Sequence, residues 1–258
     1  MSYDLYLSPK TFDANAIRAY FAARPHYEVS DAQAFYSNAD TGVYFIFDFV
    51  EQPGDSDEEI EGVQAAPHVA FNLNYFRPHI FALEAEPELA AFVEALACTV
   101  DDPQIDGMGS GAYSRDRFFS GWTAGNRFSA QAIGEDGGEL PPSADGAQIE
   151  EAWAWNFNRA RLQDHIGDNT FVPKIAWVRP GADMEPVRCA TWTFGVPTAI
   201  PDSMITHVVL VRQARPTLAG MFSRKNDGPK MEVKLLSVEG GIRLRGVERG
   251  EIEGRPVL

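Results

Sequence analysis

Two stretches of this chain alternate with a period of two, and that pattern commits its first half to a sheet. In Val43–Val50, Val43, Phe45, Phe47 and Phe49 point one way and Tyr44, Ile46 and Val50 the other, with only Asp48 polar. In His68–Phe76, Val69, Phe71, Leu73 and Tyr75 share one face; Ala70, Asn72, Asn74 and Phe76 share the opposite one. A strand apolar on both faces is expected between two layers, so Val43–Val50 reads as a central strand.

Tyr3–Leu7 and Tyr27–Ser37 read as further strands. Asp13 can cap a helix carrying Ile17, Tyr20 and Phe21, which Pro25 stops. Pro87 suits the first turn of a second helix, in which Leu89, Phe92, Val93, Leu96 and Val100 recur at helical spacing. A third helix over 115–133 would turn Phe118, Phe119, Trp122 and Ile133 inward, although Gly121 and Gly125 oppose it. Residues 101–113 read as a loop, and the Gly-, Pro- and acid-rich residues 134–147 as a linker.

Beyond the linker, Gln148–Ile166 reads as one long helix closed by Gly167. It carries two apolar stripes, Ile149, Trp153, Phe157 and Ala160 on one side and Trp155, Leu162 and Ile166 on another, so it is expected to be clamped between layers. Strands follow at Phe171–Val178, Cys189–Phe194, Thr206–Arg212, Glu232–Glu239 and Ile242–Val247, the last two joined at Gly240-Gly241. The expected fold is α+β, with two mixed subdomains of largely antiparallel sheet and packed helices. They are a β-α-β-β-β-α subdomain with an extra helix over 1–133, and a long helix plus sheet over 148–258.

Charge narrows the function. The 258 residues hold 22 Lys+Arg against 37 Asp+Glu, a net −15. Residues 1–207 hold 12 basic and 31 acidic residues, whereas 208–258 hold 10 and 6. The negative balance disfavours nucleic acid and anionic lipid. The acidic loop over 51–62 supplies Asp55, Asp57, Glu58, Glu59 and Glu61 as a candidate surface for a basic protein, because clustered carboxylates steer association. Calcium is the other reading of Asp55-x-Asp57-x-Glu59, but Ile60 stands where an EF-hand loop needs glycine. Cys98 and Cys189 form no CxxC, the N-terminus has no signal-peptide pattern, and the apolar runs are too short for a bilayer. A cytoplasmic protein with no membrane partner is expected.

Catalytic and cofactor fingerprints are weak, and no cofactor or metal is expected. Gly107–Ala112 fits a loose GxGxxA, but the acidic, proline-broken residues 101–106 before it would repel a pyrophosphate. Ser110 lacks the flanking glycines of a nucleophile elbow, and the five histidines have no metal-ligand spacing. The most specific catalytic candidate is Asp202 with Glu232 and Lys234, a PD…ExK pattern that could hold a divalent metal for nuclease or phosphodiesterase chemistry. Asn72, Asn74, Arg77 and His79 could line a small-molecule pocket, or could be the solvated side of a strand. Trp153, Trp155, Asn156 and Asn158 invite a sugar-binding reading, with a core role as the plainer one. The leading expectation is a non-enzymatic, immunity- or inhibitor-like protein that binds a basic partner; the metal-dependent nuclease is the alternative.

Overall fold

The computed structural model describes residues 1–51, 66–135, 144–181, 183–193, 195–201, 204–213, 231–237, 250–252 and 255–257. At 212, 213, 231, 232, 234, 236, 237, 250–252 and 255–257 it describes the backbone alone. The chain forms two compact units, Met1–Pro141 and Pro142–Leu258.

In the first unit the order is β1 (Ser2–Ser8), α1 (Ala14–Ala22), β2 (Tyr27–Val29), β3 (Gln33–Ser37), β4 (Tyr44–Val50), β5 (His68–Asn74), α2 (Ile80–Ala95), β6 (Thr99–Asp102), β7 (Gly109–Gly111) and α3 (Arg115–Glu135). The seven strands form one sheet, β2-β3-β4-β5-β1-β6-β7, with every neighbouring pair antiparallel.

One face of that sheet is the core. Tyr3, Leu5, Leu7, Phe45, Phe47, Phe49, Val69, Phe71 and Leu73 are buried with Ile17 and Phe21 of α1, Leu89, Phe92 and Val93 of α2, and Phe118 and Trp122 of α3. Phe21 ties three elements together, its ring centroid 4.8 Å from Phe47 and 5.1 Å from Phe92. The opposite face is only half-buried along β1, β4 and β5. The two-layer expectation for β4 is therefore corrected. The strand is interior to the sheet and apolar on both sides, but only Phe45, Phe47 and Phe49 are buried under the helices, while Tyr44, Ile46, Asp48 and Val50 are half-buried.

Four more local expectations change, each for a visible reason. Tyr27–Ser37 is a hairpin, not one strand. Its turn closes through Ser30, whose N–H donates to the Gln33 carbonyl at 2.8 Å and whose hydroxyl accepts from the Gln33 N–H at 3.1 Å. The second helix starts at Ile80, so Pro87 lies inside it. Proline there forfeits one backbone bond, and burial of Phe81, Ala82, Ala85 and Leu89 offsets the loss. Val100, read as part of that helix's stripe, is buried on β6. Residues 101–113, read as a loop, contain the end of β6 and all of β7.

In the second unit α4 (Gly146–Phe157) and α5 (Arg159–Ile166) precede β8 (Ile175–Val178), β9 (Val187–Thr193), β10 (His207–Gln213) and β11 (Met231–Ser237). The sheet runs β11-β10-β9-β8, with β9 and β10 parallel and the other pairs antiparallel. A hairpin of β12 (Gly250–Ile252) and β13 (Arg255–Val257) completes the described strands. Asn158 interrupts the expected long helix: its side-chain amide donates to the Ala154 carbonyl at 2.8 Å. One stripe of α4 and α5 is buried, with Trp155 and Leu162 packed on Val172, Ile175, Ala190 and Val208. The other is not clamped, since Phe157 is 49% exposed. Gly240-Gly241 and Ile242–Val247 lie outside the described residues. Among the described residues no helix is long and apolar enough to cross a membrane.

The glycines that argue against α3 are what let it dock. A methyl on Gly125 would lie inside the ring of Tyr75, and one on Gly121 would meet the Tyr3 hydroxyl at 3.0 Å. Gly134, in the same helix, has open space where its Cβ would be. Gly125→Ala should therefore destabilise by about 2 kcal/mol or more through overpacking. Gly134→Ala should stabilise by about 0.5 kcal/mol through helix propensity. Urea midpoints of the two variants check this, and a Gly125→Ala midpoint at or above wild type would contradict the packing.

Candidate functional site

Because helices cover one face of the first sheet, the pleat delivers every second strand residue to the other. Register fixes which residues meet there. One row reads Glu28, Phe35, Ile46, Asn72 and Asp4; the next reads Gln33, Asp48, Ala70, Tyr6, Asp101 and Ser110. Ser2, Ser8, Tyr44, Val50, His68, Asn74 and Thr99 extend these rows along the strands. The strand positions of this face thus hold four carboxylates, on Glu28, Asp48, Asp4 and Asp101, and no lysine or arginine. Arg77 reaches one end from beyond β5, with a guanidinium nitrogen 2.6 Å from the Tyr44 hydroxyl and its carbon 5.3 Å from that ring's centroid.

Neutral amide and hydroxyl donors, not cations, meet Asp4 and Asp101. Asp4 accepts from the Asn72 amide and from the Ser2 hydroxyl at 3.0 Å, and Asp101 accepts from Ser110. Partial burial, and then the charge of Asp4, push the Asp48 carboxyl above the ordinary carboxylate range. Like charges have been kept on one half-buried surface.

At the β1–β6 end, a loop is built onto this face by a carboxylate of the opposite side. Asp102 is 4% exposed. It accepts from the Tyr3 hydroxyl at 2.6 Å, the Met108 N–H at 2.8 Å and the Gln104 N–H at 3.0 Å. Gly107 lies so close to that carboxylate that any Cβ would overlap it. Gln104 then bonds the backbone of Asp4 in both directions, each at 3.4 Å. The loop so held forms, with the start of β1, a pocket open to solvent and lined by Met1, Ser2, Asp4, Tyr75, Pro103, Gln104 and Ile105. Ile105 is fully exposed.

Other acids are drawn inside. Glu84 of α2 accepts from Tyr36 at 2.8 Å, Asn38 at 2.8 Å and Thr41 at 3.0 Å. Glu86 accepts from Tyr113 at 3.1 Å and pairs with Arg115, and Glu88 takes Tyr27 at 3.1 Å and Arg24 at 2.8 Å. Burial, then the neighbouring carboxylate, push all four tyrosine hydroxyls, that of Tyr3 included, well above their ordinary range and keep them donors. Burial alone raises the Cys98 thiol to about 12, leaving it little thiolate for nucleophilic work.

The residues singled out in the sequence fall as follows. Asn72 lies at the centre of the open face. Asn74 instead closes a turn, accepting from the Phe76 N–H at 2.7 Å. Arg77 stacks on Tyr44 and Phe81, and His79 precedes α2. The acidic residues Asp55, Asp57, Glu58, Glu59 and Glu61 lie outside the described residues, in the segment joining β4 to β5. Asp202 also lies outside them, and of Glu232 and Lys234 only the backbone on β11 is described, paired with Arg212 and Leu210. Trp155 and Asn156 are core and not a sugar platform: the indole donates to the Pro173 carbonyl at 2.8 Å and the amide bridges both backbone groups of Ile175. Among the described residues no group of three or more His, Cys, Asp or Glu could hold a metal ion. Sequence reasoning missed Asp4, Asp101, Asp102 and Ile105, which become a site only through the pairing of β1 with β5 and β6. No family model, curated protein or solved structure matches this chain.

A raised Asp48 means that the folded state holds its proton more tightly than the unfolded chain does. Stability is then lost as pH rises from the ordinary carboxylate range through the raised value. Asp48→Asn should therefore raise Tm by about 1–2 °C at neutral pH, a small gain because the site is partly exposed and screened. At about pH 3, where both states are protonated, the gain should vanish. Thermal melts against pH measure this; a Tm loss at neutral pH would refute the repulsion.

Proposed function

We propose that this chain is a non-enzymatic protein-binding protein whose anionic sheet face holds a basic partner, in the manner of an immunity or inhibitor protein. The observation that carries the reading is the one-signed face: Glu28, Asp48, Asp4 and Asp101 among aromatic and aliphatic side chains, with no cation at any strand position. A mixed apolar and acidic surface suits protein recognition, in which apolar contact supplies affinity and charge selects and steers the partner. Its size is adequate. Seven strands spaced by about 4.8 Å, the longer ones of seven residues, span a projected area on the order of 600 Å². That approaches the roughly 800 Å² per partner of a standard complex. The five acids of the β4–β5 segment add to the same charge balance.

The test is a pull-down from lysate of the source cell at low salt, with wild type beside a variant carrying Glu28→Gln, Asp4→Asn, Asp48→Asn and Asp101→Asn. Wild type should recover a basic protein that high salt releases, and the variant should bind it about tenfold more weakly or worse. Equal recovery by a folded variant, or a complex indifferent to salt, would refute the proposal.

A further inference from the structure

The open sheet face carries its apolar and acidic residues in a definite order. Phe35 and Ile46 stand side by side in one register row, Ala70 and Tyr6 side by side in the next. Because Asp48 on β4 is paired with Ala70 on β5, these four residues make one oblique band across β3, β4, β5 and β1. All four are half-buried. Glu28 stands at one end of the band, beside Phe35, and Asp101 at the other, beside Tyr6. Asp48 flanks the band on one side and Asp4 on the other. No side chain among the described residues donates to Glu28 or Asp48. Strand and residue spacings put the two end positions about 25 Å apart, and the two flanking positions about 10 Å apart across the band.

These dimensions select an occupant. Each band residue lies on an interior strand and is paired with a neighbour on both sides. An extended segment laid over them finds no ladder to join, and buries its own backbone groups unpaired. A helix satisfies its backbone internally, is about 10 Å across and covers 25 Å with about 16 residues. The single sign of the surrounding carboxylates requires that its margins be basic. Resting on the reading of this face as the docking surface, we infer that the basic partner seats one amphipathic helix of about 16 residues here. Its apolar stripe lies on Phe35, Ile46, Ala70 and Tyr6, and its lysines and arginines meet the acids at both ends and both margins. Ala70, the smallest side chain of the band, leaves room at the centre for a large one. Apolar anchors at helical spacing supply the contact, and long basic side chains reach a carboxylate while their stems stay on apolar surface.

The experiment follows the methyl NMR signals of Ile46 and Ala70 in the full chain during titration with a leucine–lysine peptide of about 16 residues, its leucines at helical spacing. The control is its diastereomer with interior D-residues, which keeps composition and charge but not the helix. The helical peptide should give saturable shifts at both methyls and bind at least about fivefold more tightly than the diastereomer. Ile46→Thr combined with Ala70→Gln leaves every charge in place and should weaken it about tenfold, where a purely electrostatic association would be unchanged. Glu28→Gln, Asp48→Asn and Asp101→Asn together should weaken it about fivefold and lessen its salt dependence. Equal binding of the diastereomer, absence of saturation at Ile46 and Ala70, or unchanged affinity in a folded Ile46→Thr, Ala70→Gln variant would overturn the inference. The peptide comparison on wild type decides the matter even where that variant does not fold. The two readings fail separately. If both peptides bind alike and both are lost on neutralising the three acids, the helix assignment falls and the face stands. If neutralisation changes neither peptide binding nor the pull-down, the face reading falls.

Discussion

A carboxylate taken out of water must have its hydration replaced by donors, or it stays protonated or outside. In the first unit tyrosines meet that requirement. Tyr3, Tyr36, Tyr113 and Tyr27 donate to Asp102, Glu84, Glu86 and Glu88. These bonds join the strands and helices at points where aromatic packing alone would allow sliding: Tyr36 on β3 is fixed to α2, and Tyr3 on β1 to the end of β6. Buried bonds of this kind are directional, and cutting one partner leaves the other unsatisfied, so they specify register more than they add stability.

That same arrangement divides the acidic residues into two populations. Those facing the helices are paired with hydroxyls, amides or arginines. Those on the opposite sheet face, Asp4, Asp48, Asp101 and Glu28, have short polar neighbours at most and no basic residue at any strand position. An antiparallel sheet with one wet face ordinarily alternates apolar with mixed polar residues. Here the wet face retains Phe35, Ile46, Val50 and Tyr6 between charges of a single sign. This mixture of half-buried apolar side chains and carboxylates is the surface on which the docking proposal rests.

Much of this fold was legible in the chain. The period-two runs that became β4 and β5 announced an interior sheet, and Asp13 announced α1. The errors were of two kinds. Local patterns were outvoted by packing: Pro87 lies inside α2 because the residues before it are buried; α3 formed as expected, its Gly121 and Gly125 leaving room for Tyr3 and Tyr75. Burial itself could not be read. Tyr44, Ile46 and Val50 are as apolar as core residues, and nothing in their spacing distinguishes a face under a helix from one left open. The candidate site was illegible for a third reason. Asp4 meets Asn72 and Gln104 only after strands distant in the chain come into register, whereas the segment that did stand out, Asp55–Glu61, owes its prominence to mere adjacency.

The energetics of Asp48 bear on why the face exists. Its carboxyl is held above the ordinary range by partial burial and by Asp4, so the folded state tolerates a repulsion that one amide substitution would relieve. Natural proteins commonly carry small costs of this size, and such local rule-breaking is most expected at functional sites. A cation placed over this face would lower the Asp48 pKa, gain Coulomb energy from several carboxylates at once, and desolvate side chains already half-withdrawn from water. On the proposed reading, binding a basic surface would relieve part of that repulsion. On that reading, preference for a basic surface follows from the like-charge repulsion between Asp48 and Asp4.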